Sequence, residues 1–119
     1  MEEFENCPCS GKTLARLLHP AVMAVLAEEP QHGYAIAQRL RAMSMFCESP
    51  PDPAGIYRVL KSMEDDGFVE SEWDLTASGP AKRRYTLTKS GRACLARWKE
   101  TLAGYSAAIA EIQQTINRL

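Results

Sequence analysis

The chain of 119 residues contains no apolar run long enough to cross a membrane. It opens Met1-Glu2-Glu3-Phe4-Glu5, an acidic start opposite in charge to a secretory leader. Together these absences predict a cytoplasmic protein with no membrane partner. A glycine-rich phosphate loop, a nucleophile elbow and a paired-histidine metal motif are also missing. Hydrolysis or group transfer needs a nucleophile with a base and an orienting acid, or a metal-bound water, so an enzyme is not expected and no cofactor is implied. There are two histidines, His19 and His32, isolated in sequence, and four cysteines. In a cytoplasmic protein those cysteines do not form a disulfide framework. The length fits one domain with one core. The formal net charge of −1 argues against a chain that coats nucleic acid without selectivity.

What is present centres on residues 52–87. Asp52 suits a helix N-cap, because its carboxylate accepts from the free N–H groups of the first turn. Pro53 suits the first helical position, where no donor is needed. Gly67 suits the stop, where a left-handed conformation costs little. Ile56, Val59, Leu60 and Met63 recur at three and four and form a core-facing stripe. Tyr57, Arg58 and Lys61 lie toward the other side. Residues 68–75 and 82–87 then alternate with period two around a Ser-Gly-Pro cluster, a hairpin signal. Val69, Ser71, Trp73 and Leu75 share one face of the first strand. Arg83, Tyr85 and Leu87 share one face of the second. A short helix followed by a basic hairpin is the working end of a winged helix. It also occurs in many α+β domains, so a nucleic acid and a protein both remain open as partners.

Charge distribution favours the first. Seven basic residues fall between positions 82 and 99 with no acidic one, while acids collect at 2–5, 28–29, 64–66 and 70–74. A localised basic face steers an anionic partner even when net charge is near zero.

Upstream, residues 1–12 read as a loosely packed arm. A helical pattern starts at Thr13, with Leu14, Leu17, Leu18, Ala21, Val25 and Leu26. Pro20 interrupts it and predicts a kink, or two short helices meeting near His19. Residues 29–33 read as a connector, 34–45 as a helix with Ile36, Ala37, Leu40 and Met43 inward, and 46–51 as an extended loop.

Thr88 can cap a last helix whose apolar residues are Leu95, Trp98, Leu102, Tyr105, Ile109, Ile112, Ile116 and Leu119. The gaps alternate three and four without a break, a heptad seam that demands a helical partner. At the helical rise such a helix spans about 45 Å, more than the chain's own first helix can cover. The expectation is a mostly α fold with a small β-hairpin, in which a winged helix-turn-helix carries a long C-terminal dimerisation helix. Residues 1–12 form the arm, 13–88 the DNA-binding domain and 89–119 the dimerisation helix of a homodimer. Gly104 interrupts that helix at a cost of about 1 kcal/mol, and marks a close helix contact or a bend.

Three motifs carry a resemblance. They are His32-Gly33-Tyr34-Ala35-Ile36-Ala37, the run Gly55-Ile56-Tyr57-Arg58-Val59-Leu60-Lys61-Ser62-Met63-Glu64-Asp65-Asp66-Gly67-Phe68-Val69, and Ser78-Gly79-Pro80-Ala81-Lys82-Arg83-Arg84-Tyr85-Thr86-Leu87-Thr88-Lys89-Ser90-Gly91-Arg92. In order and spacing the chain closely resembles the PadR family of winged-helix regulators over roughly residues 14–105. The resemblance implies a dimeric, usually repressing protein that binds a double-stranded DNA operator with pseudo-twofold symmetry. It implies DNA-facing roles for Tyr57 and Lys61, and wing roles for Ser78, Gly79, Lys82 and Arg83; Arg84, in the same basic run, is expected to contact DNA with them. Tyr34 matches an aromatic position that serves packing or contact. Arg58 departs from the proline common there and adds a fork able to read guanine or clamp phosphate. Asp52, within Pro50-Pro51-Asp52-Pro53, also departs and sets a carboxylate near the DNA-facing end.

Some family members bind a small aromatic effector at the dimer interface through a tryptophan of the last helix. Trp98 occupies a comparable place, and also fits as a plain seam residue. Cys7-Pro8-Cys9 puts two thiols one residue apart, which with a third ligand suit a soft metal or a redox pair but lack the second pair of a zinc motif. Cys94 reads as a small apolar residue beside the seam. Two rival readings follow: a winged-helix module that binds protein and not DNA, and a regulator responsive to metal or redox state through Cys7 and Cys9.

Overall fold

The computed structural model describes residues 16–76, 79 and 81–119. The arm at 1–12, the helix start at Thr13, Cys7, Cys9 and Ser78 lie outside them. In chain order the elements are α1 Leu18–Glu28, β1 Gln31–His32, α2 Gly33–Arg41, α3 Pro53–Asp65, β2 Val69–Asp74, β3 Lys82–Leu87 and α4 Lys89–Asn117. A 3-10 turn at Ser44–Phe46 separates α2 from α3. The strands form one antiparallel sheet in the order β1-β3-β2. Among the described residues no helix is long and apolar enough to cross a membrane.

The ends of α3 follow from its sequence. Asp52 Oδ1 accepts from the Ala54 amide at 3.3 Å, with Pro53 in the first turn. At the other end the Phe68 amide donates to the Met63 carbonyl at 2.8 Å and the Gly67 amide to Glu64 at 3.0 Å. That is a Schellman stop, and Gly67 supplies its left-handed residue at φ 81°. Ile56, Leu60 and Met63 are fully buried and Val59 partly so, against Val22, Met23, Val25 and Leu26 of α1 and Ile36 and Leu40 of α2. Each such side chain contributes about 1.5–3 kcal/mol on burial.

Four expectations change. Pro20 lies in the first turn of α1, where its missing N–H is not needed, so it does not kink that helix; a 3-10 turn at residues 16–17 runs into α1 just before it, near the expected junction at His19. Part of the expected connector is a strand: Gln31 pairs with Tyr85 and His32 with Arg84 of β3. The Gln31 side chain also donates to the Val25 carbonyl at 3.0 Å, satisfying an acceptor that the end of α1 leaves free. The second helix begins at Gly33 and stops at Arg41, because Met43 turns extended before the 3-10 turn. Phe46 of that turn, expected in a loop, is buried in the core. Trp73 and Leu75, on the same face as Val69, are exposed, since the hairpin runs out beyond the core.

The junction before α4 is tightly fastened. Thr88 Oγ1 accepts from the Gly91 amide at 3.0 Å, capping α4, and donates to the Gly67 carbonyl at 2.7 Å. The Thr88 amide donates to the Phe68 carbonyl at 3.0 Å. Gly91 packs so close to that carbonyl and to Leu87 that no Cβ fits. Gly104, by contrast, has open space around it among the described residues and makes no close contact with another described helix. Two substitutions should therefore move stability in opposite directions in urea unfolding. Gly91→Ala should destabilise by about 1–3 kcal/mol through overpacking. Gly104→Ala should stabilise by up to about 1 kcal/mol through helix propensity.

Candidate nucleic-acid interface

The buried stripe of α3 dictates what its other side presents. Tyr57 is 50% exposed, and Arg58 and Lys61 are exposed beside it. Lys61 Nζ lies 3.7 Å from Asp65 Oδ1, an exposed pair one turn apart that costs little to open. The Tyr57 ring lies against the first turn of α2, where a Cβ on Gly33 would fall 2.8 Å from its ring carbons. Gly33 thus leaves the notch in which Tyr57 rests. Tyr34, in the next position, is 72% exposed and accepts from Gln38 Nε2 at 2.7 Å.

The hairpin supplies the second half. Trp73 pairs with Arg83 and Asp74 with Lys82 across the two strands. Lys82 and Arg84 are exposed, and Gly79 near the tip takes φ 95°. Arg83 behaves differently from its neighbours. Its Nε donates to Ser71 Oγ at 2.7 Å, and its guanidinium carbon lies 5.6 Å from the centre of the Trp73 ring. Burial raises the Tyr85 phenol above its ordinary value, opposed by the nearby Arg83 charge.

On the opposite face of the sheet, His32 Nε2 lies 3.0 Å from Asp74 Oδ2, reaching across β3 from β1 to β2. The sequence offered no sign of this pair, whose members are 42 positions apart. Asp74 also accepts from Thr76 Oγ1 at 2.6 Å and from the Thr76 amide at 3.0 Å, which ties down the start of the hairpin loop.

The last helix divides. Leu95 and Trp98 are partly buried against the core, with Cys94 beside them. Leu102 is half-buried, but Tyr105 and Ile109 are exposed and Ile112 and Ile116 are each 60% exposed. Leu17, Leu102, Tyr105, Ile109 and Ile112 line an open apolar groove of about 380 Å³. A smaller groove of about 230 Å³ lies over Cys94, Arg97, Trp98 and Thr101. Cys47 is exposed, and its thiol donates to the Ser44 carbonyl at 3.2 Å. Among the described residues no three His, Cys, Asp or Glu side chains converge as metal ligands.

Three packed helices, an antiparallel wing and a long closing helix define a winged helix-turn-helix protein. The sequence profile of the transcriptional regulator PadR-like family matches residues 22–97. The chain belongs to that family, whose members are transcriptional regulators and not enzymes. A Mycobacterium tuberculosis protein named a probable transcriptional regulator is 35% identical over 79 residues, which make up 66% of this chain. The chain spans only 41% of that relative's length. The crystal structure of a PadR family transcription regulator from Clostridium difficile R20291 superposes with a TM-score of 0.71, covering 81% of this chain and 97% of that one at 22% identity. The structure of Bacillus subtilis PadR in complex with operator DNA gives a TM-score of 0.60 at 27% identity, over 69% of this chain and 46% of that one.

The Asp74 carboxyl is held down to about 2 from its ordinary 3.8, first by the Thr76 hydroxyl, then by the Thr76 amide, and less by His32. A carboxyl lowered in the folded state adds stability above its ordinary value and loses it as pH falls toward the lowered one. Asp74→Asn should therefore unfold at a lower temperature than wild type above about pH 4, and the gap should close as pH falls to about 2. Thermal unfolding by circular dichroism across that range checks it.

Proposed function

We propose that this chain is a sequence-selective DNA-binding transcriptional regulator that works in the cytoplasm as a homodimer and represses at a pseudo-palindromic operator. One observation carries the reading. The outer face of α3 offers Tyr57, Arg58 and Lys61 to solvent, and the adjacent wing offers Lys82 and Arg84. A helix face with aromatic and forked cationic side chains suits base edges, and a basic hairpin suits phosphates. Exposed Tyr34, one residue after the Gly33 that packs on Tyr57, and Gly79 near the hairpin tip belong to the same reading. The operator complex of the Bacillus subtilis relative supports the assignment, and the repressing sense follows the family resemblance.

The exposed stripe Tyr105, Ile109, Ile112 and Ile116 supports pairing through α4, with Leu95, Trp98 and Leu102 continuing the seam inward. Two recognition helices held that way would read half-sites one or two helical turns apart. The family resemblance supports a small aromatic effector at Trp98 as the releasing ligand, and Trp98 also packs against the core as a seam residue.

Fluorescence anisotropy with a duplex from the chain's own upstream region, beside a scrambled duplex and at several salt concentrations, tests the reading. Selective binding that weakens steeply with salt is expected. Equal binding to both duplexes, or none, overturns it in favour of a protein-binding winged helix. Lys61→Ala should weaken binding to all sequences and reduce the salt slope by about one. Arg58→Ala should cost about 1–3 kcal/mol and relax selectivity at one position. Ile112→Glu should yield monomers in sedimentation at micromolar concentration, by placing a charge in the seam.

A further inference from the structure

Arg83 stands in the wing among residues that suit phosphate, yet its guanidinium is already engaged on three sides. Its Nε–H donates to Ser71 Oγ at 2.7 Å, and Nη2 lies 3.8 Å from Glu64 Oε2. The Ser71 hydroxyl in turn donates to that same Glu64 carboxylate. One face of the guanidinium covers Trp73 at 5.6 Å. Strand geometry explains the direction. Arg83 shares its face with the buried Tyr85 and Leu87, so it points toward the helices, while Lys82 and Arg84 point away. Ser71 is opposite Tyr85, so the Arg83 side chain runs diagonally down the ladder to reach it. Glu64 belongs to the last turn of α3. The chain Glu64–Ser71–Arg83–Trp73 therefore links the recognition helix to the outer half of the wing.

We propose that Arg83 is a positioning residue and not a DNA contact: it braces the hairpin against the C-terminal turn of α3 and so sets where Lys82 and Arg84 stand relative to the recognition helix. This rests on the DNA-binding reading above and deepens it. A phosphate gripped by the Nε–Nη2 edge of Arg83 would displace both the Ser71 hydroxyl and the Glu64 carboxylate. Nothing comparable restrains Lys82 or Arg84, which have no ion-pair partner among the described residues.

The test uses Ser71→Ala, Arg83→Gln, Arg83→Lys and the double variant S71A/R83Q, all in the full chain. Binding to the selected duplex and hydrogen exchange of the hairpin amides without DNA are measured on each. The brace predicts that Ser71→Ala, which removes no charge, weakens binding about tenfold, as Arg83→Gln does. The double variant should be no weaker than Arg83→Gln alone, because both changes break one linkage. Arg83→Lys should not rescue, since an ammonium lacks the fork. Hairpin amides should exchange faster in every variant. Wild-type affinity in Ser71→Ala together with retained binding in Arg83→Lys overturns the proposal and makes Arg83 a phosphate contact. Unchanged hairpin exchange overturns it as well. If the wild-type chain selects no duplex, the DNA-binding reading fails, and hydrogen exchange still decides whether the brace exists.

Discussion

The fold depends on how the chain turns from β3 into α4. Thr88 caps the last helix and at the same time donates to the carbonyl of Gly67, the residue that ends α3. Its own amide donates to Phe68, the residue that leads into β2. One side chain and one amide thereby fasten the end of α3, the root of the wing and the start of the long helix. Gly91 makes the closeness possible, because any larger residue would meet the Phe68 carbonyl. These contacts are short, directional hydrogen bonds at partly exposed positions, so their net worth in stability is modest. Their effect is geometric: they fix angles that apolar burial alone leaves loose.

The interior around this junction is ordinary hydrophobic packing, and its polar features sit at the margins. His32 and Asp74 meet on one face of the sheet, and Glu64, Ser71 and Arg83 meet on the other. The wing is a two-stranded ribbon extended past the core, which by itself is marginally stable in water. Each polar cluster replaces part of the apolar support the ribbon lacks. That is why Trp73 is exposed yet occupied: it has no core beneath it, and its partner is a cation.

What was legible in the sequence was local. Asp52, Pro53, Gly67 and Thr88 announce helix ends because caps act within four residues of the groups they satisfy. The buried stripe of α3 and the apolar stripe of α4 were legible for the same reason, since helical periodicity is a local property of the chain. What escaped depended on register. Two residues at 31 and 32 carry no period, and they form a strand only because β3 offers an unpaired edge. Phe46 looked like loop because its neighbours are polar and proline-rich, but the short 3-10 turn aims it inward. The engagement of Arg83 was invisible because Ser71 lies 12 positions away and Glu64 farther still, so composition showed only three consecutive basic residues.

The length of α4 has a mechanical consequence. Its 29 residues make a rod of about 43 Å, held at one end by Thr88 and Gly91 and along its first turns by Leu95 and Trp98. Beyond Leu102 the large apolar residues of the remaining turns are exposed. A rod clamped at one end works as a lever. A swing of about ten degrees at the clamp carries its far tip through roughly 7 Å at that length. The reverse also holds: a small displacement where the tips meet another surface returns to the clamp as a still smaller tilt. The first things that tilt would disturb are the end of α3 and the root of the wing, because they share the clamp.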